Sequence, residues 1–165
     1  MTTKPILLAT DGSPSAADAT FEAIELAQAF ETTLIIVSVD HPLAVGGVFY
    51  GYAELLAEVR TVEHDRIEEA LARACTAAAE AGVECEAVHL GPDNLVADAI
   101  CRLAATWHAR LIVVGAHGWT PIKRVLHGSV STAVVHEATC PVLVVPSGTD
   151  RVAAAVDRVK LTAVD

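Results

Sequence analysis

The feature that most constrains this chain is a regular alternation of short apolar runs with longer stretches of helical spacing. Five runs stand out: PILLAT (5–10), TLIIVSV (33–39), VECEAVHL (83–90), RLIVVG (110–115) and PVLVVP (141–146). The first, second and fourth are almost continuously apolar, as strands covered on both faces must be. The fifth is bounded by prolines, which places it at a sheet edge. Helical spacing predicts helices from Pro14 to about Phe30, from about Ala53 to Ala81, from Leu95 to His108 and from Ser129 to Ala138. Ser13 and Pro14 supply an N-cap and a first-turn proline, and Gly82 a C-cap. Phe21, Ile24 and Ala27 form one apolar stripe with Ala23, Leu26 and Phe30 beside it. Val96, Ile100, Leu103 and Trp107 form another, and Val130, Val134 and Val135 are available for packing. Residues 40–52, rich in Gly and Pro, read as a loop. A β-α-β-α-β-α-β-α-β order implies a parallel sheet with helices on both faces. Such sheets bind ligands beyond the carboxyl ends of their strands, where the strand order reverses. Ala9 to Gly12, Val39, Asp40 and Gly115 to Gly118 therefore mark the region of interest.

A length of 165 residues, 53% of them hydrophobic, suits one domain with a single core. That domain is expected over residues 1–147, with 148–165 as a C-terminal extension of helical spacing (Val152, Val156, Val159). A net charge of -10 and 4% aromatics disfavour nucleic-acid and anionic-membrane partners. No apolar run is long enough to span a bilayer, and MTTKPILLAT lacks a signal-peptide layout. A cytoplasmic location is the resulting expectation. The four cysteines (Cys75, Cys85, Cys101, Cys140) are far apart without a CxxC, so they read as buried, reduced thiols. The seven histidines show no HxxxH, HxH or Cys-His spacing and read as scattered rather than metal-binding.

The chemistry-bearing pattern is Gly115-Ala116-His117-Gly118, nine residues, then Gly128-Ser129, or G-x2-G-x9-G-S. It leaves a strand and opens a helix. Glycine at a strand exit lets a ligand approach the backbone. The free N–H groups and positive dipole end of a helix favour phosphate. The hydroxyls of Ser129 and Ser131 add donors.

The segments ILLATDGSPSA, IIVSV and above all LIVVGAHGWTPIKRVLHGSVSTAVVHEATCPVLVVP resemble the universal stress protein family, over about residues 4–146. The resemblance implies an open five-stranded parallel α/β sheet of order 3-2-1-4-5, Rossmann-like and of the adenine nucleotide alpha hydrolase-like type. It also implies a homodimer through the fifth strand, 141–146. The family's ATP-binding branch carries this same G-x2-G-x9-G-[ST] pattern, so ATP, with Mg²⁺ as a possible companion, is the implied ligand. Position by position, the resemblance puts Ala9, Thr10 and Asp11 at the end of the first strand. Asp11 approaches a ribose hydroxyl or a metal, and Val39 offers its backbone to adenine. Gly115, His117 and Gly118 lie along ribose and phosphates, and Gly128, Ser129, Val130 and Ser131 hold the phosphates. The chain departs from the pattern at His117, where arginine is familiar, at Trp119, where a basic residue is common, and at Arg110, where aspartate is usual. Lys123 and Arg124 are nearby cations.

Other chemistries find less support. Walker A, G-x-G-x-x-G and G-x-S-x-G are absent. Response-regulator chemistry fails because the third strand ends in His89-Leu90 and the fifth in Pro146-Ser147 rather than in an aspartate and a lysine. The sequence leaves three functions open: an ATP-binding regulatory module in stress response, a dimeric adaptor that binds no nucleotide, and a slow ATP hydrolase. No residue is marked as a general base, so an efficient enzyme is not expected.

Overall fold

The computed structural model describes residues 3–40, 53–91, 95–116, 129–146 and 148. Along the chain lie β1 (Ile6–Ala9), α1 (Pro14–Ala29), β2 (Leu34–Val39), α2 (Ala53–Glu80), β3 (Cys85–Leu90), α3 (Val96–Thr106), β4 (Leu111–Gly115), α4 (Ser129–Glu137) and β5 (Val142–Val145). The five strands form one sheet of order β3-β2-β1-β4-β5, every neighbouring pair parallel. β1 is central. Ile6 to Ala9 pair with Leu34 to Val37 on one side and with Leu111 to Val114 on the other.

Strand alternation divides the core into two layers. Ile6, Leu8, Leu34, Ile36 and Val113 face α1 and α2, where Ala19, Ala23, Ile24, Ala27, Ile67, Leu71, Ala74 and Ala78 meet them. Leu7, Ile35, Val37, Ile112 and Val114 face α3 and α4, meeting Ala99, Ile100, Ala104 and Val134. The alanines let helices lie close on the sheet, and β1, β2 and β4 are apolar on both faces because both are covered.

Local signals act as expected at the helix ends. The Ser13 hydroxyl accepts the N–H of Ala16 at 3.2 Å, with Pro14 in the first turn. Gly82, at φ +74°, ends α2, and the N–H of Val83 returns to the carbonyl of Ala78 at 2.9 Å.

Several aromatic and aliphatic positions depart from the sequence reading. Phe21 is 60% exposed, because the buried side of α1 is set by Ala19, Ala23, Ile24 and Ala27, and Phe21 lies opposite them at 100° per residue. Trp107 sits at the C-cap of α3, beyond its last turn, and is partly exposed. Val135 is exposed on the outer side of α4, while Val134 fills the core. Phe30 leaves the core to lie under the Arg110 guanidinium, 3.7 Å from the ring centroid. Arg110 thus works at the amino-terminal end of the sheet.

The expectation of four reduced thiols is corrected. Cys75 and Cys85 form a disulfide between α2 and β3, their Cα atoms 5.7 Å apart. Cys85 belongs to the strand face turned to α2, and Cys75 lies on the helix stripe facing it, so two residues ten apart in sequence meet within disulfide reach. Cys101 and Cys140 are free and half-buried. Burial raises both thiol pKa values above the ordinary value, and at Cys101 the charge of Glu137 and the neighbouring Cys140 add to this.

Candidate functional site

The connection from β1 leads through α1 to β2 on one side of it, while that from β3 leads through α3 to β4 on the other. The strand order therefore reverses at β1 and β4, and the crevice beyond their carboxyl ends is the place where such sheets take ligands.

On the β1 side, a chain of tight turns shapes the exit. Ala9 ends the strand between Val37 and Val114. Thr10 is buried, its N–H donating to the Val37 carbonyl at 2.9 Å and its hydroxyl oxygen accepting the Gly12 N–H at 3.2 Å. Asp11 is half-buried, and its Oδ1 accepts the N–H of Ser13 at 2.9 Å. Gly12 holds φ +72°, and a Cβ there would stand 2.9 Å from the Cβ of Ala70 on α2. Only glycine combines that backbone with that closeness, so the turn presenting Asp11 is fixed by the packing of α2.

On the β4 side, Gly115 is the last strand residue and pairs with Val145. The next N–H, of Ala116, donates to the Val145 carbonyl at 2.8 Å. The Ala116 carbonyl accepts the hydroxyl of Ser131 at 3.3 Å, which ties the first turn of α4 to the exit of β4. Ser131 is accordingly buried, Val130 is half-buried against the α3/α4 layer, and Ser129 is exposed at the first residue of α4. The amino-terminal turn of that helix carries its positive dipole end. Val39 closes β2, buried, with Leu90 of β3 paired beside it.

Ala9, Thr10, Asp11, Val39, Gly115, Ser129, Val130 and Ser131 thus all lie on the side of the sheet where its strands have their carboxyl ends. His117, Gly118 and Gly128, with Trp119, Lys123 and Arg124, lie outside the described residues.

A second group of side chains went unnoticed in the sequence. His89, on the half-buried outer strand β3, bonds two carboxylates. Its Nε2 is 2.7 Å from Asp40 Oδ1 and its Nδ1 is 2.6 Å from Glu68 Oε1. His64 stacks on it with ring centroids 4.8 Å apart. Burial pulls the His89 pKa down, but the hydrogen bonds to Asp40 and Glu68 outweigh it, and the net shift is upward. Part of this was readable. His64, Glu68, Leu71 and Cys75 follow helical spacing along one stripe, and Cys85 and His89 share a strand face. That the stripe lies over that face is tertiary information. The scattered-histidine reading is corrected for His64 and His89.

The model of the universal stress protein family matches residues 2–146. A universal stress protein of Methanocaldococcus jannaschii is 36% identical over 143 residues, covering 86% of this chain and 81% of that protein. The fold is shared with universal stress protein UspA from Lactobacillus plantarum (TM-score 0.75, 24% identity, 88% and 99% of the two chains covered). A universal stress protein solved in complex with cAMP has a TM-score of 0.65 at 27% identity, covering 90% of this chain and all (100%) of that one. One from Archaeoglobus fulgidus, in complex with dAMP, has a TM-score of 0.60 at 25% identity, covering 88% and 99%. From the matched length and the identity to its relatives, the chain belongs to the universal stress protein family.

Proposed function

We propose that this chain is an adenine-nucleotide-binding regulatory module whose ligand is ATP, acting in stress response as a homodimer. The observation that carries the reading is the convergence of Asp11, Val39, Gly115 and the amino terminus of α4 on the reversal point of the sheet. Relatives at 27% and 25% identity hold cAMP and dAMP, which supports an adenylate. In this reading adenine lies against the backbone of Val39. The ribose meets Asp11, and the phosphates meet the opening N–H groups of α4 and the hydroxyl of Ser129, with His117, Gly118 and Gly128 completing the cradle. The half-buried Asp11 offers hard oxygen of the kind Mg²⁺ takes, and the ion would offset phosphate charge there. The bound nucleotide acts by favouring one conformation or one dimer arrangement over another.

The dimer belongs to the same reading. β5 is a sheet edge, with Val142, Leu143 and Val144 only half-buried. An apolar strand edge invites pairing, and self-pairing covers it isologously. Residues 148–165 form an extension of the domain, and the setting is cytoplasmic. No helix among the described residues is long and apolar enough to cross a membrane.

Calorimetric titration with Mg²⁺-ATP tests the site, with Ser129→Asp as the variant. A carboxylate there repels phosphate, and the expected loss is about tenfold or more. Undetectable wild-type binding at millimolar ATP refutes nucleotide binding, and sustained phosphate release above a protein-free blank would favour a hydrolase. Leu143→Lys should shift the sedimentation profile from dimer to monomer.

A further inference from the structure

We propose that Asp40, His64 and His89 form a binding site for a divalent transition-metal cation of the Zn²⁺ type, with Glu68 as the residue that orients His89. The inference stands apart from the nucleotide reading and rests on four side chains from three elements. Asp40 follows the last residue of β2, its N–H bonded to the Leu90 carbonyl at 3.0 Å. His89 lies on β3 opposite Ser38, so Asp40 and His89 emerge on the same face one step apart. His64 and Glu68 come from α2, one turn apart, above that face.

The three donor atoms of Asp40, His64 and His89 lie within 4.8 Å of one another. Bonds of about 2.0–2.1 Å in a tetrahedral set require donors about 3.3 Å apart. The His89–Asp40 pair, at 2.7 Å, is slightly closer than that, as a hydrogen-bonded pair should be. The wider pairs close by rotation of His64, which is exposed and free of core packing. The shift needed, from at most 4.8 Å to about 3.3 Å, is shorter than a side chain.

Two further observations set the group apart from a chance meeting of surface residues. Glu68 accepts from Nδ1 of His89 at 2.6 Å, leaving Nε2 for the metal side. A carboxylate behind a ligating imidazole fixes the ring and strengthens it as a donor. The Cys75–Cys85 disulfide clamps α2 onto β3 further along the same pair of elements, so ligands from both are held in advance. Two imidazoles and one carboxylate suit Zn²⁺, Co²⁺ or Fe²⁺ rather than Mg²⁺ or Ca²⁺, which prefer oxygen. Three protein ligands leave a coordination position for water or a small ligand. Asp40 directly follows Val39, so an ion here would brace the carboxyl ends of β2 and β3.

The test uses the full-length, tag-free chain, stripped with chelator and dialysed against Zn²⁺ without nucleotide, with bound metal measured by plasma mass spectrometry. Co²⁺ substitution provides a visible absorption signature of the imidazole-carboxylate set. The expected result is one saturable equivalent per chain. Glu68→Gln should weaken it about 10–100-fold, the usual cost of losing an orienting carboxylate. His64→Ala and Asp40→Ala should abolish it, and His136→Ala, in the last turn of α4, should leave it unchanged. His64 is exposed, so its variant will fold even if changes at His89 do not; circular dichroism verifies this. Absence of a saturable equivalent overturns the site. So does an equivalent that survives His64→Ala and Asp40→Ala, which would place the metal elsewhere.

Discussion

Reduction of the Cys75–Cys85 disulfide should measurably loosen the fold. The bond closes a short loop, with a sequence separation of 10. Cross-linking a loop of that size removes about 9 cal/mol/K of entropy from the unfolded chain, or about 2.7 kcal/mol at 25 °C. For a domain of this length, about 2–4 °C per kcal/mol turns that into a fall of about 5–11 °C in the melting midpoint. The bond joins α2 to the outer strand β3, so the loss should appear first as faster hydrogen exchange in those elements. Thermal melts with and without dithiothreitol measure the effect. Thiol titration of the oxidised chain in guanidinium should find the two cysteines, Cys101 and Cys140, that stand outside the bond. A Cys75→Ser/Cys85→Ser variant should melt at the lower midpoint and ignore dithiothreitol. Equal midpoints for oxidised and reduced protein would refute the loop-closure reasoning. All four thiols titrating without reductant would refute the bond itself. In a reducing cytosol the pair would respond to the local redox poise.

Other consequences can be checked in parallel. Gly12→Ala places a side chain in the left-handed region and against Ala70, so urea unfolding should show at least about 1–2 kcal/mol of lost stability. Ser131→Ala removes the buried hydroxyl held by the Ala116 carbonyl, and the same assay should register about 1 kcal/mol. The raised thiol pKa values of Cys101 and Cys140 leave little thiolate near neutrality. Alkylation by iodoacetamide should therefore be slower in the native chain than in guanidinium and should accelerate as the pH rises; a native rate equal to the unfolded rate would contradict their burial.

Sequence alone determined the α/β architecture, because each strand had to be apolar on one or both faces and each helix had to carry its own start and stop. Ser13-Pro14 and Gly82 act locally, so they could be read locally. The 3-2-1-4-5 order came from family resemblance, and hydrogen-bonded pairing bears it out. Gly12 could be read as a turn residue, but its indispensability could not, since the atom that forbids a side chain there is on Ala70, 58 positions away (70 minus 12). The exposure of Phe21 and Trp107 has a related origin. Hydrophobicity says that Phe21 and Trp107 can be buried, but where a helix rolls on the sheet and where it ends decides whether they are. The disulfide and the group of Asp40, His64, Glu68 and His89 lie furthest from what sequence can give. Each of their faces is periodic and legible by itself. Which helix face meets which strand face is set by close packing of the whole core, and only the tertiary structure brings those residues within bonding distance.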